Sequence, residues 1–231
     1  MYDFEFPEAP EVDEAYRTAY RALSGIALRS TTFDQGHDLS LSEMIHQFGR
    51  VTEEAELAAA AQLGPLIGWR APKPQRGTLE LAVAALDLDG GDCSSADIRI
   101  GRDAYEGVDG TWHGSALDYA GRAYTRECGW DFPPGEGGVW LLMLAPVQGV
   151  GGDDAPWSYF GHVTGFVVLS DRDEDGSYEA VGHIWTASRW RRKGIAQRLL
   201  TEAKSRFQFT DVEQPYSDDG AAFLRACGYV E

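Results

Sequence analysis

The sequence predicts an α/β (α+β) fold, in which a mixed, mainly antiparallel sheet is flanked by helices and preceded by a helical N-terminal extension. Three observations predict it. Apolar runs at 139–146, 162–170 and 178–186 follow one another with only Gly- and Asp-rich loops between them, the pattern of an antiparallel meander. The third run passes through a short basic turn into an apolar helical stripe of Ile195, Leu199, Leu200, Ala203 and Phe207. Ahead of all this, residues 11–63 carry helix-period stripes and give way to a proline-containing stretch.

The elements follow in chain order. Val12, Tyr16, Ala19, Tyr20 and Leu23 mark a helix that Gly25 ends, and Ser40 with Glu43 has capping-box spacing before a stripe of Leu41, Met44, Ile45 and Phe48. Thr52-Glu53-Glu54 restarts a helix that Gly64-Pro65 stops. Trp69 to Gly77, with Pro72 and Pro74, reads as a semi-rigid linker. The chain therefore divides into a helical region with linker, 1–76, and a second domain, 77–231. Thr78 to Leu88 fits both helix and strand periods and stays open. Asp97 to Ile100 alternates as a short strand, and Trp112 to Cys128 sets Leu117, Ala120, Tyr124 and Cys128 on one helical face. Beyond the three runs and the helix over 194–207 come a short polar segment, a helix over 218–226, and Gly228-Tyr229.

With 231 residues and 43% hydrophobic content the chain can bury a sizeable core. No apolar run approaches the roughly 20 residues of a spanning helix, and the acidic start lacks the parts of a signal peptide, so a cytoplasmic protein is expected. Three cysteines, odd in number and outside metal or redox spacing, fit reduced thiols. A formal net charge of −17 argues against nucleic-acid and membrane partners and for a cationic small molecule or peptide. An acidic surface equally serves solubility, so charge alone leaves the substrate open.

The segment with chemical content runs from Gly182 to Leu200: a strand, then Arg189-Trp190-Arg191-Arg192-Lys193, then Gly194-Ile195-Ala196 opening a helix. Converging backbone N–H groups, the helix dipole and a glycine that admits close approach make an anion site. Basic side chains concentrate there in an otherwise acidic chain. Its Arg191-x-x-Gly194-x-Ala196 spacing, together with Phe223 to Tyr229 as a closing helix and Gly-aromatic pair, resembles the GNAT superfamily of acetyl-CoA-dependent N-acetyltransferases. The resemblance covers about residues 96–231. It implies acetyl-CoA as cofactor, with its pyrophosphate on Arg191, Arg192, Lys193, Gly194, Ile195 and Ala196. It also implies a strand edge at Ile184, Trp185 and Thr186 for the pantetheine arm, and a primary amine as acceptor.

Acetyl transfer to an amine needs a base. Glu179 and His183 are the candidates and share a face if the strand is regular; His183 has the more useful unperturbed pKa. His162 and Asp211 are lesser candidates, and His113 is a cap or a substrate contact. Two departures from the family stand out. The tyrosine it places four residues before the closing glycine is Leu224 here, leaving Tyr216 as another donor or the thiolate to leave unaided. The family's next strand would follow Glu231, so that strand is either dispensable or supplied by the N-terminal region or a second subunit, which makes a homodimer an expectation. These departures keep a second function open, a non-catalytic GNAT-like acyl-CoA sensor or protein-binding domain. No metal site is expected: Asp171 to Gly176 matches half of an EF-hand loop, but Gly182 stands where the bidentate glutamate belongs and an acidic hairpin turn explains it. Trp157 to Phe160 reads as a loop, either mobile over the acceptor site or a plain surface connection.

Overall fold

The computed structural model describes residues 53–229 except 55, 75–79, 90–96, 108, 131–132, 153–155 and 215–216. The helices expected over 11–24 and 40–48 lie outside the described residues, as do Cys93 and Tyr216. Within them a seven-stranded sheet is flanked by four helices. The strands are β1 (Leu66–Ala71), β2 (Ala82–Asp87), β3 (Arg99–Ile100), β4 (Val139–Val150), β5 (Trp157–Ser170), β6 (Ala180–Thr186) and β7 (Asp211–Val212). The helices are α1 (56–63), α2 (Ala116–Cys128), α3 (Ile195–Arg206) and α4 (Asp218–Ala226).

The three apolar runs form the expected meander, β4 to β5 to β6, all antiparallel. Continuous burial from Val139 to Ala145 marks β4 as a central strand covered on both faces. β5 is longer than its apolar run suggests. Its first half, including Trp157 to Phe160, pairs with both β1 and β4, so the loop expected there is a strand. The ambiguous stretch resolves as β2, paired antiparallel with β4.

Strand β1 occupies residues that the prolines read as linker. Ile67 and Trp69 point into the core and are buried, while Leu66 and Arg70 alternate outward. Pro72 limits the strand without preventing it, because Tyr159 Oη donates to the Pro72 carbonyl at 2.8 Å. Helix gives way to sheet at Gly64-Pro65, ahead of the supposed linker. Gly64 has φ +87°, and a Cβ there would lie 1.8 Å from the Val163 carbonyl oxygen, so only glycine brings the chain flat against β5.

One side of β5 is shared end to end. Residues 157–162 pair with β1 and residues 165–170 with β6. Helix α2 packs on one face, where Tyr124 meets Phe166 edge-on at 5.8 Å. Helix α3 packs on the other: Gly165 turns its missing Cβ toward Ile195, whose Cγ2 would be 3.0 Å away. Leu199, Leu200 and Ala203 of α3 are buried as the stripe predicts.

Candidate functional site

Strand β6 has two different edges. Toward β5 it is paired along its length, from Ala180 with Ser170 to Thr186 with Gly165. Toward β7 it pairs in parallel only at Ala180 and Val181, after which the strands part. Among the described residues, the β7-side edge of β6 from Gly182 to Thr186 has no strand beside it. Ile184, Trp185 and Thr186, the expected pantetheine edge, lie within this stretch.

At its end β6 enters a 3₁₀ turn over Ser188–Trp190, then residues with positive φ at Arg192 (59°) and Gly194 (78°), then α3. The start of α3 differs from those of its neighbours. Helix α2 is capped by the Ser115 hydroxyl accepting from Asp118 N, and α4 by the Ser217 hydroxyl accepting from Gly220 N; both carry acids in their first turn. Helix α3 has Gly194 as N-cap, no side-chain cap hydrogen bond and no acid in its first turn. Its leading N–H groups thus have no side-chain cap, and no acid in its own first turn screens the positive end of the dipole.

The basic side chains divide into two kinds. Arg191 turns back onto the protein: Nη2 meets Glu127 Oε2 at 2.6 Å and Nε donates to the Thr186 carbonyl at 3.1 Å. The same Glu127 oxygen accepts from Trp185 Nε1 at 3.0 Å. Arg191 therefore braces the turn against α2, over the buried ring of Trp185. Arg198 donates to the Leu81 carbonyl at 3.3 Å. Arg192 and Lys193 are exposed beside the helix start, Lys193 lying over the Trp190 ring at 4.9 Å.

The structure does not bring Glu179 and His183 together. Val168 pairs with His183 and Leu169 with Val181, so Gly182 is an extra residue that reverses facing between them. Glu179 precedes β6 and accepts from Arg172 N at 2.8 Å in the β5–β6 turn. His183 faces α2, with its ring 5.6 Å from that of Tyr124 and 6.2 Å from that of Trp130. Its Nδ1 lies 3.5 Å from the Tyr124 hydroxyl. Burial holds the imidazole below its ordinary pKa, partly opposed by the Glu213 carboxylate. It is neutral at pH 7 and able to accept a proton. Burial pushes the Tyr124 hydroxyl far up, so it stays protonated.

The remaining candidates fall elsewhere. His162 meets the Gly64 carbonyl through Nδ1 at 2.7 Å where α1 joins β1, and burial lowers its pKa. Asp211 pairs with Arg172 at 3.0 Å. His113 is exposed, 3.4 Å from the buried Asp118 at the start of α2. Leu224 is buried in the core. Asp171, Asp173 and Glu179 bring carboxylate oxygens within 4.8 Å of one another, and Asp171 accepts from Asp175 N and Gly176 N, which closes the acidic turn. Sequence reasoning missed Glu127, Tyr124, Trp130 and Glu213. Tyr124 was visible only as one residue of a core stripe. Glu213, whose Oε2 lies 3.4 Å from where a Gly182 Cβ would sit, follows a strand of two residues that gives no periodic signal.

Residues 178–225 match the family model described as ESCO1/2 acetyl-transferase. The match begins at the end of the acidic turn and runs through β6, the basic turn, α3 and β7 into α4. This segment is similar to an acetyltransferase domain. No curated protein and no solved structure matches the chain. No helix among the described residues is long and apolar enough to cross a membrane.

Proposed function

We propose that the protein is an acetyl-CoA-dependent N-acetyltransferase of GNAT type acting on a primary amine of a small cationic molecule or peptide. The observation that carries this reading is the uncapped, acid-free start of α3 directly after a strand whose far edge is open. The residues there fit the cofactor. A diphosphate needs N–H donors free of protein acceptors and a backbone without a Cβ in the way, and Gly194 with the helix start supplies both. The amides of Arg192 to Ala196 would hold the diphosphate, with Arg192 and Lys193 adding charge, and the β6 edge at Ile184 to Thr186 would pair with the pantetheine arm. When bound, acetyl-CoA supplies an activated acetyl thioester.

The chain's own residues do the rest. Neutral His183 takes the proton that an incoming ammonium must lose, and the protonated Tyr124 hydroxyl holds the imidazole ring. Backbone N–H groups along the parted edge offer hydrogen bonds to developing negative charge. The family's tyrosine acid has no counterpart at Leu224, which is core, and this one observation favours the non-catalytic acyl-CoA sensor as second reading.

Equilibrium CoA binding and thiol release from acetyl-CoA, with polyamines, aminoglycosides and basic peptides as acceptors, test the proposal. Arg192→Glu combined with Lys193→Glu should weaken CoA binding at least tenfold and flatten its loss of affinity with salt. Unchanged affinity in that variant would refute the cradle. CoA binding without turnover across the acceptors would establish the sensor instead.

A further inference from the structure

A second feature of the α2 face lies away from the basic turn. A cavity of about 410 Å³ opens where β2 ends. Its floor is the fully buried Leu86, and Tyr105, Trp112, Glu106 and Glu136 line it, while Asp87, next along β2, turns its side chain to the other face of the sheet. None of the residues lining it is basic. The ring of Trp112 is steadied by Trp140, 5.5 Å away, and Asp87 accepts from the Tyr178 hydroxyl at 3.3 Å. Glu106 has Arg102 at 3.8 Å, but the Arg102 side chain is 80% exposed, so this pair cancels little of the cavity's charge.

These groups select one kind of guest. Aromatic faces and carboxylates attract a cation, and an apolar floor accepts the methylene arm attached to it. An anion is repelled, and a neutral apolar guest would strip water from two carboxylates without compensation. An alkylammonium group meets every wall.

We propose that the cavity binds an alkylammonium group, its methylene arm on Leu86 and its charge beside the rings of Trp112 and Tyr105 and the carboxylates of Glu106 and Glu136. The site is separate from His183, since Trp140 and Val168, which lie between them in the sheet, are buried.

The full chain is titrated calorimetrically with spermidine in the absence of CoA, with a neutral glycol of similar length as control. Saturable, salt-sensitive spermidine binding is expected, at least tenfold weaker in Trp112→Leu and in Glu106→Gln combined with Glu136→Gln. CoA affinity and melting temperature in the same variants report that the fold survives. Spermidine affinity that is undiminished in both variants, or absent in the parent, overturns the cavity assignment.

Discussion

Glu127 is the residue on which the order of the basic turn depends, and its replacement can be worked through quantitatively. One carboxylate oxygen accepts both the Trp185 indole N–H at 3.0 Å and the Arg191 guanidinium at 2.6 Å. Trp185 is 4% exposed, so Glu127→Ala strands a buried donor at a cost of about 1–3 kcal/mol. The ion pair adds less. The Arg191 side chain is 42% and that of Glu127 29% exposed, and solvent screening leaves about 0–1 kcal/mol. Glu127→Ala should therefore cost about 2–3 kcal/mol, a drop in melting temperature of roughly 5–10 °C for a chain of this size. Glu127→Gln keeps an acceptor for the indole and loses only the charge, so it should cost no more than about 1 kcal/mol. In a Trp185→Phe background, where the donor is gone, the penalty of Glu127→Ala should shrink by about 1–2 kcal/mol. Urea unfolding of the four proteins of this cycle measures the coupling directly. Equal losses for Gln and Ala, or an Ala penalty unchanged in the Phe background, would refute the brace.

Two further outcomes follow from the same geometry. Gly165→Ala should place a methyl 2.8 Å from the Trp185 carbonyl oxygen and 3.0 Å from Ile195 Cγ2, pushing the start of α3 off β5. Unfolding should show a loss of about 1–3 kcal/mol, and CoA binding should weaken, whereas an unshifted denaturation midpoint would contradict the contact. Burial holds the pKa values of His183 and His162 below ordinary, so below about pH 6.5 the unfolded chain binds protons that the folded chain refuses. This part of the stability is complete above that pH and is lost as pH falls toward the folded values. Denaturation midpoints at pH 7.5 and 5.5 should diverge in the native protein and less so in His183→Gln, and an unaltered difference in the variant would remove His183 from the account.

What the sequence made legible, and what it hid, follows from the range of the interactions. The meander, the turn and helix α3 rest on local periodicity and on glycine, and both act over a few residues, so they could be read directly. Strand β1 could not. Its partners are Trp157 to His162 and Arg99-Ile100, far along the chain, and its own six residues end beside two prolines that argue locally for a linker. The first half of β5 failed for the same reason, since Trp157 to Phe160 became a strand by pairing on both sides. At the site, the helix start was visible because its chemistry is main-chain. The facing of His183 and Glu179 was not, because one extra residue at Gly182 reverses it. Glu127, three residues beyond Tyr124 on α2, met Trp185 and Arg191 only through tertiary packing.

The helix starts carry the remaining argument. An isolated helix leaves its first N–H groups without acceptors, and this chain has two ways of treating that deficit. At α2 and α4 it places a serine hydroxyl on the amides and an acid in the first turn, although these helices need nothing from outside. At α3, in a chain with 37 acidic residues, it places none of them in the first turn, puts glycine at the cap, and leaves Arg192 and Lys193 exposed alongside. Serine at this third start would improve the helix by only a few tenths of a kcal/mol over glycine, and an acid in its first turn by about 0.3–1 kcal/mol more. Forgoing that gain is costly unless something else occupies the amides, and on the proposed reading the occupant is a diphosphate. Gly194→Ser tests the trade. It forces the side chain into a left-handed backbone or releases the turn, so if the turn is built for a ligand, CoA affinity should fall even where the new hydroxyl restores a cap and stability is unchanged.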